Sequence, residues 1–152
     1  MSSVVAVSGE AAEVASAEVR AILSMVQDEE RRGKLADLAA ALADGEVAGD
    51  DAQALEEVLE LALQTGRVRA LYGPEGETAA LALYRRLPRG RELSEAAREV
   101  SAALAALEGR TIEQVTVAAG GPAAHVVTVR AEGLELSIRL DRQGARLTTV
   151  GI

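Results

Sequence analysis

Apolar side chains recur at the spacing of amphipathic helices through the first two thirds of the chain. The pattern predicts a first helix that begins at Ser8 and Gly9, continues into the charged stretch 28–32 and ends near Gly33. A short second helix is predicted over residues 35–42, because leucines share one face there and an Asp-Gly turn follows. The N-terminal part of the chain is therefore expected to be helical.

A third helix is predicted between Asp50, a typical N-cap residue, and Gly66, a residue typical of helix ends. Its apolar positions share one face, and they are Leu55, Val58, Leu59, Ala62 and Leu63. Glu56, Glu57 and Glu60 are expected to point outward. Their carboxylates should therefore lie on a solvated surface, where burial does not change a pKa.

The middle of the chain admits two interpretations. In the first, residues 67–72 form a short strand and a helix extends from Pro74 to Leu87, because proline followed by glutamates suits a helix N-terminus. In the second, residues 73–76 form the turn of a hairpin and residues 78–84 form its return strand. The sequence favours the helix, and the hairpin stays open as the alternative.

After a break at residues 88–90, a helix is predicted over residues 94–108, and the apolar period then changes from 3.6 to 2. Four strands are predicted, over residues 111–117, 125–130, 134–141 and 145–150. The third alternates strictly between apolar and polar side chains, which indicates a sheet with one face in water. A longer loop is expected over residues 119–124.

These patterns together predict an α+β fold in a single domain over residues 1–152. The helical layer would occupy about residues 9–108 and the antiparallel sheet about residues 110–151. Short connections between the strands favour a four-stranded antiparallel meander packed against helix 94–108.

Composition narrows the class of protein mainly by exclusion. The chain has no cysteine, phenylalanine or tryptophan, so the core must be aliphatic and disulfides and thiolate chemistry are excluded. No signal peptide and no membrane-spanning stretch are expected, and the location is predicted to be cytoplasmic. The net charge is −8, and residues 1–66 carry fourteen acidic but four basic side chains. This balance disfavours nucleic acids and membranes as partners.

Candidate chemistry is sparse, and we predict no catalytic residue, no metal and no cofactor. His125 is the sole histidine, and a general acid or base would need partners that the sequence does not identify. The Asp-Gly segment at residues 44–50 resembles the start of a calcium loop. It has Ala48 and Leu55 where that loop needs oxygen ligands, so a turn explains it better.

Two groups of side chains remain as weak candidates for binding. His125, Tyr72 and Tyr84 could give polarity to an aliphatic pocket between the sheet and helix 94–108. Four arginines cluster around Pro88, where they could contact an anion or a protein partner or pair with the protein's own acidic helices: Arg85, Arg86, Arg89 and Arg91.

The function expected from these observations is a non-catalytic protein-interaction module, acting as an adaptor, scaffold or regulator. Its partner would be another protein or a second copy of the chain, and a homodimer is the expected assembly. The alternative is a small-ligand binder or simple enzyme that uses the aliphatic pocket.

Overall fold

The computed structural model describes residues 3–151, and the chain divides into two compact units, Met1–Arg91 and Glu92–Ile152. Helix α5 (Pro88–Leu104) contains the boundary between them. The predicted α+β fold is confirmed: N-terminal helices are followed by a four-stranded antiparallel sheet that packs against α5. A single domain over residues 1–152 stays a prediction.

The first unit consists of four helices and a two-stranded antiparallel ribbon. Its elements are β1 (Val5–Ala6), α1 (Gly9–Leu23), α2 (Glu29–Asp44), β2 (Glu46–Val47), α3 (Gly49–Gln64) and α4 (Arg67–Tyr84). The largest fully buried side chains here are all aliphatic: Val14, Val19, Leu38, Val47, Leu55, Leu59, Val68, Leu83 and Leu87. The expectation of an aliphatic core is met in this unit.

The boundary between the first two helices differs from the prediction. Helix α1 ends at Leu23, and the charged stretch begins α2 instead of ending α1. Asp28 is the N-cap of α2, and its carboxylate accepts a hydrogen bond of 2.9 Å from the backbone N–H of Arg31. The acidic residues that follow Asp28 favour a helix N-terminus. Gly33, expected near a helix end, lies inside α2.

The middle of the chain forms helix α4 with one interruption, so a strand over residues 67–72 is wrong and so is the hairpin. Helix α4 is kinked at Gly73, which has φ 73° and ψ −177° and separates a short first segment from a second that begins at Pro74. Val68 is fully buried where α4 packs against α1 and α3. Packing therefore overrides the weak alternation that favoured a strand.

Helix α5 begins earlier than predicted. Pro88 is its first residue, a position that proline tolerates because no intrahelical N–H is needed there. The expected break at residues 88–90 is therefore the start of a helix. A short 3-10 turn, Ala105–Leu107, follows α5.

The second unit contains the predicted meander in the order β3-β4-β5-β6. The strands are β3 (Ile112–Gly121), β4 (Ala124–Ala131), β5 (Leu134–Asp141) and β6 (Gly144–Gly151). The expected loop at 119–124 is wrong, because β3 continues to Gly121 and a tight turn leads into β4. Gly144, at φ 111°, lets the side chain of Leu93 approach the β5–β6 turn, where a Cβ would lie 2.8 Å from Leu93 Cδ2.

Cross-strand pairing divides the sheet into an apolar and a polar face. One row joins Val115, Val129, Leu136 and Val150 across all four strands, and the next polar row joins Thr116, Thr128, Ser137 and Thr149. Leu136 is 1% exposed, and Val100 of α5 is 6% exposed. The apolar face is thus the one that α5 covers. Among residues 3–151, no helix combines the length and apolar character needed to cross a membrane.

Alanine substitutions at two helical glycines should change the free energy of unfolding in opposite directions. Gly33→Ala should raise the free energy of unfolding by about 1 kcal/mol, because no atom lies within 4 Å of the added Cβ and alanine favours a helix. Gly90→Ala should lower it by about 2 kcal/mol or more, because the added Cβ would overlap the carbonyl oxygen of Tyr84. Urea unfolding followed by circular dichroism measures both. Equal changes in the two variants would contradict this account.

Candidate functional site

Two carboxylates are buried in the helical unit, Glu18 at 2% and Glu56 at 8% exposure. The prediction that Glu56 points outward is wrong, because its carboxylate accepts a hydrogen bond from a neighbouring element. Glu18 was not among the predicted site residues. The sequence does indicate that Glu18 is buried, because it falls within the apolar stripe of α1, three residues after Ala15 and four before Ile22.

Glu18 is held by two residues of α4. Its Oε2 accepts a hydrogen bond of 2.8 Å from Arg67 Nε, and its Oε1 accepts one of 2.8 Å from the hydroxyl of Tyr72. Both carboxylate oxygens therefore have a donor, which is the condition under which a buried charge is tolerated. Burial, and then the hydrogen bond to Glu18, raises the pKa of Tyr72.

An apolar pocket of about 230 Å³ lies beside this network. Its lining comes from α1, α3 and the segment that begins α4: Glu18, Ala21, Ile22, Met25, Val58, Leu61, Ala62, Thr65 and Arg67. Met25 is 71% and Leu61 is 55% exposed. We call this cavity the Arg67 pocket. It places one ion pair beside aliphatic walls, an arrangement suited to a ligand with an apolar and a charged part.

A second carboxylate network joins α3 to α4 and to the start of α5. Glu60 Oε1 accepts hydrogen bonds from the Tyr84 hydroxyl at 2.8 Å and lies 2.9 Å from Arg89 Nε. Glu56 Oε1 accepts a 2.7 Å bond from the backbone N–H of Arg89, so it satisfies a donor in the first turn of α5. Burial, and then the Glu60 hydrogen bond, raises the pKa of Tyr84 to about 12.

The four arginines around Pro88 do not form one common site. Arg89 pairs with Glu60, and Arg86 donates a 2.8 Å hydrogen bond from a terminal nitrogen to the carbonyl of Ala6. Arg86 and Arg91 line a cleft of about 540 Å³ whose lining also includes Asp50 and Glu56. Arg85 is exposed. A role of these arginines in contacting an anion or a partner stays a prediction.

His125 lies in the second unit, at the start of β4, and its side chain is exposed. Its cross-strand neighbours are Ala119 and Leu140, which places it at one end of the apolar sheet face. Tyr72 and Tyr84 belong to the helical unit, where each hydroxyl binds a glutamate. The three residues predicted to bind a ligand therefore have different neighbouring residues. Their role in ligand binding stays a prediction.

The acidic turn at residues 44–50 is used structurally. Gly45 adopts a left-handed conformation at the end of α2, with φ 85°, and Glu46 and Val47 form the strand that pairs with β1. Within the described part of the chain, no group of three or more His, Cys, Asp or Glu side chains could hold a metal ion.

Comparisons with known proteins return no matching family model, no matching curated protein and no matching solved structure. The physical features of the chain itself are consequently the basis for assigning a function.

The Tyr84–Glu60 bond predicts a loss of stability at alkaline pH. The pKa of Tyr84 is about 12 in the folded protein and about 10 in the unfolded chain, so the unfolded chain releases the phenolic proton first. The stabilisation should be complete below pH 10 and should disappear as the pH rises towards 12. Urea titrations across this range should show a shallower fall for Tyr84→Phe than for the original chain. Identical pH slopes would argue against the assigned pKa.

Proposed function

We propose that this protein is a non-catalytic interaction module that associates with a second copy of itself through the edge of its C-terminal sheet. The observation that supports the proposal is the exposure of apolar side chains on edge strand β3. Ile112, Val115 and Val117 are 56%, 55% and 64% exposed. The role of such a dimer would be that of an adaptor, scaffold or regulator.

The width of the sheet explains why the apolar face remains partly open. Strands are about 4.8 Å apart and a helix with its side chains is about 10 Å wide, so one helix covers roughly two strands. The apolar residues of the central strands are accordingly buried, as Val129 and Leu136 show, whereas Val150 on edge strand β6 is 60% exposed. Apolar surface is therefore left along both rims of the face.

The β3 edge has few features that prevent pairing with another strand. Residues 114–121 contain no charged residue and no proline, although charge and proline are the usual protection of edge strands. Alternate residues of β3 direct their backbone N–H and C=O groups away from β4. Both edge strands have register irregularities, β3 at Ile112/Gln114 and Ala119/Gly121 and β6 opposite Ser137/Ile138, but β3 is regular and uncharged over residues 114–119, whereas β6 carries Arg146. We therefore favour β3 as the interface.

A two-fold axis near Thr116 would pair the free backbone groups of β3 with those of a second copy and would also bury its exposed apolar side chains. In antiparallel pairing about this axis, Val115 of one copy lies opposite Val117 of the second copy, on the same face of the joined sheet. The three exposed β3 side chains offer on the order of 300 Å² of apolar surface per copy, which is the lower end of the range for the largest patch on a typical monomer, a patch that is often functional. No charges oppose each other at the centre of this interface.

A lysine at the centre of β3 should dissociate the dimer. We expect Val117→Lys to raise the dissociation constant by about 100-fold or more, because two lysines would be brought close together across the two-fold axis. Sedimentation velocity over a range of protein concentrations measures this constant, and circular dichroism verifies the fold. Thr149→Lys is the matched control, since it adds the same charge to exposed polar surface on β6.

The control variant should associate like the original chain. If the original chain stays monomeric at about 200 μM, where a specific interface of low area is populated, self-association is wrong. If Val117→Lys and Thr149→Lys weaken association equally, the dimer exists but its interface is not the β3 edge.

A further inference from the structure

The Arg67 pocket in the helical unit has features of a binding site that are independent of self-association. Its walls are aliphatic, with Ile22 and Val58 from facing helices and Leu61 at the opening. Met25 and Leu61 are both more than half exposed, so apolar surface continues from the pocket to the solvent. A soluble ligand could therefore enter without displacing a helix, and burying its apolar part would be favourable.

The charged group at this pocket is held in a fixed orientation. Arg67 uses Nε to bind the buried carboxylate of Glu18, and Tyr72 holds the other oxygen of that carboxylate. Among residues 3–151, no acceptor receives a hydrogen bond from the two terminal nitrogens of Arg67, whose side chain is 46% exposed. Those nitrogens are available to a ligand. A guanidinium fixed by a buried partner loses little freedom when it binds a carboxylate.

The local charge favours an anion in a unit that is otherwise acidic. Glu18 contributes one negative charge, and Arg67 and Arg20 both lie close enough to act electrostatically on the Tyr72 hydroxyl. Of the two guanidiniums, Arg67 lines the pocket and Arg20 does not, so Arg67 is the cation that a ligand would meet. A carboxylate can accept charge-assisted hydrogen bonds from Arg67, whereas an ammonium group cannot.

We propose that the Arg67 pocket binds an aliphatic monocarboxylate of about six carbons. The volume of about 230 Å³ corresponds to roughly eight waters at about 30 Å³ each, and therefore to about eight non-hydrogen atoms. Hexanoate has this size. Its carboxylate accepts hydrogen bonds from the terminal nitrogens of Arg67, and its alkyl chain lies against Ile22, Val58 and Leu61.

Methionine methyl resonances provide a direct test, with hexanoate as the probe. The chain contains two methionines, Met1 and Met25, and the second lines the pocket. In protein labelled with carbon-13 at the methionine methyl groups, Met25→Leu identifies the Met25 signal. Hexanoate should shift that signal saturably, with a dissociation constant on the order of 1 mM. Butanoate, which lacks two methylenes, should bind about tenfold more weakly.

The charge of the ligand is tested with probes of equal length. At neutral pH, 1-hexanol and hexylammonium should each bind at least about tenfold more weakly than hexanoate, because neither accepts a charge-assisted hydrogen bond from Arg67. Equal affinity of hexanoate and 1-hexanol would overturn the proposal. A Met25 signal that does not move saturably up to about 10 mM hexanoate would also overturn it.

One variant removes the charged group of the pocket, and a second fills its apolar space. Arg67→Gln should weaken hexanoate binding at least about tenfold, whereas Arg69→Gln, on the same helix and outside the pocket, should leave it unchanged. Arg67→Gln leaves Glu18 without its cation and so risks unfolding. Ala21→Leu fills the pocket while it keeps both residues of that pair, and it should abolish binding, with Ala11→Leu on the same helix as its control. Unchanged binding in folded Ala21→Leu would overturn the proposal.

Discussion

Hydrogen bonds from the two tyrosines to buried or half-buried glutamates set the position of α4 in the helical unit. Tyr72 binds Glu18 on α1, and Tyr84 binds Glu60 on α3, so α4 is attached on both sides of its kink. The remaining core of this unit is aliphatic apart from Glu56, which accepts a hydrogen bond from the backbone N–H of Arg89. These two bonds therefore fix how α4 lies against its neighbours, and hydrophobic burial supplies most of the free energy.

The arginines complete this arrangement and connect it to the features with functional potential. Arg67 and Arg89 each use their Nε on the same glutamates that the tyrosines bind. The Arg67–Glu18 pair orients a guanidinium at the opening of an apolar pocket. The Arg89–Glu60 pair aligns the residues that begin α5, where Glu56 also accepts a hydrogen bond from a backbone N–H. One structural motif, a tyrosine and an arginine sharing a glutamate, thus serves both ends of α4.

The sequence predicted the sheet better than the boundaries of the helices. Strict alternation along β5 leaves one register for a sheet with one wet face, so its predicted bounds, residues 134–141, match the observed strand. The charged stretch after α1 is compatible with a helix end or a helix start, and the Asp28 cap decides between them. The short segment before Gly73 has too few residues for its period to be diagnostic, so packing decides its conformation.

The candidate site was less accessible to sequence analysis for a physical reason. Glu18 stands out as a carboxylate within an apolar stripe, but its partners lie 49 and 54 residues away. Periodicity describes which face of a helix a residue occupies and does not describe which helix lies opposite. The Arg67 pocket depends on such a tertiary contact, and so does the burial of Glu56.

The kink at Gly73 has a consequence for the motions of the helical unit. A residue at positive φ interrupts the helix, so the two segments of α4 do not share one continuous ladder of hydrogen bonds. Each segment has its own tyrosine–glutamate attachment, and the Arg69–Glu77 ion pair that spans the kink is partly exposed and so links the two segments weakly. Amide exchange with solvent should therefore proceed at separate rates on the two sides of Gly73, with the segment before it forming a small cooperative unit together with α1.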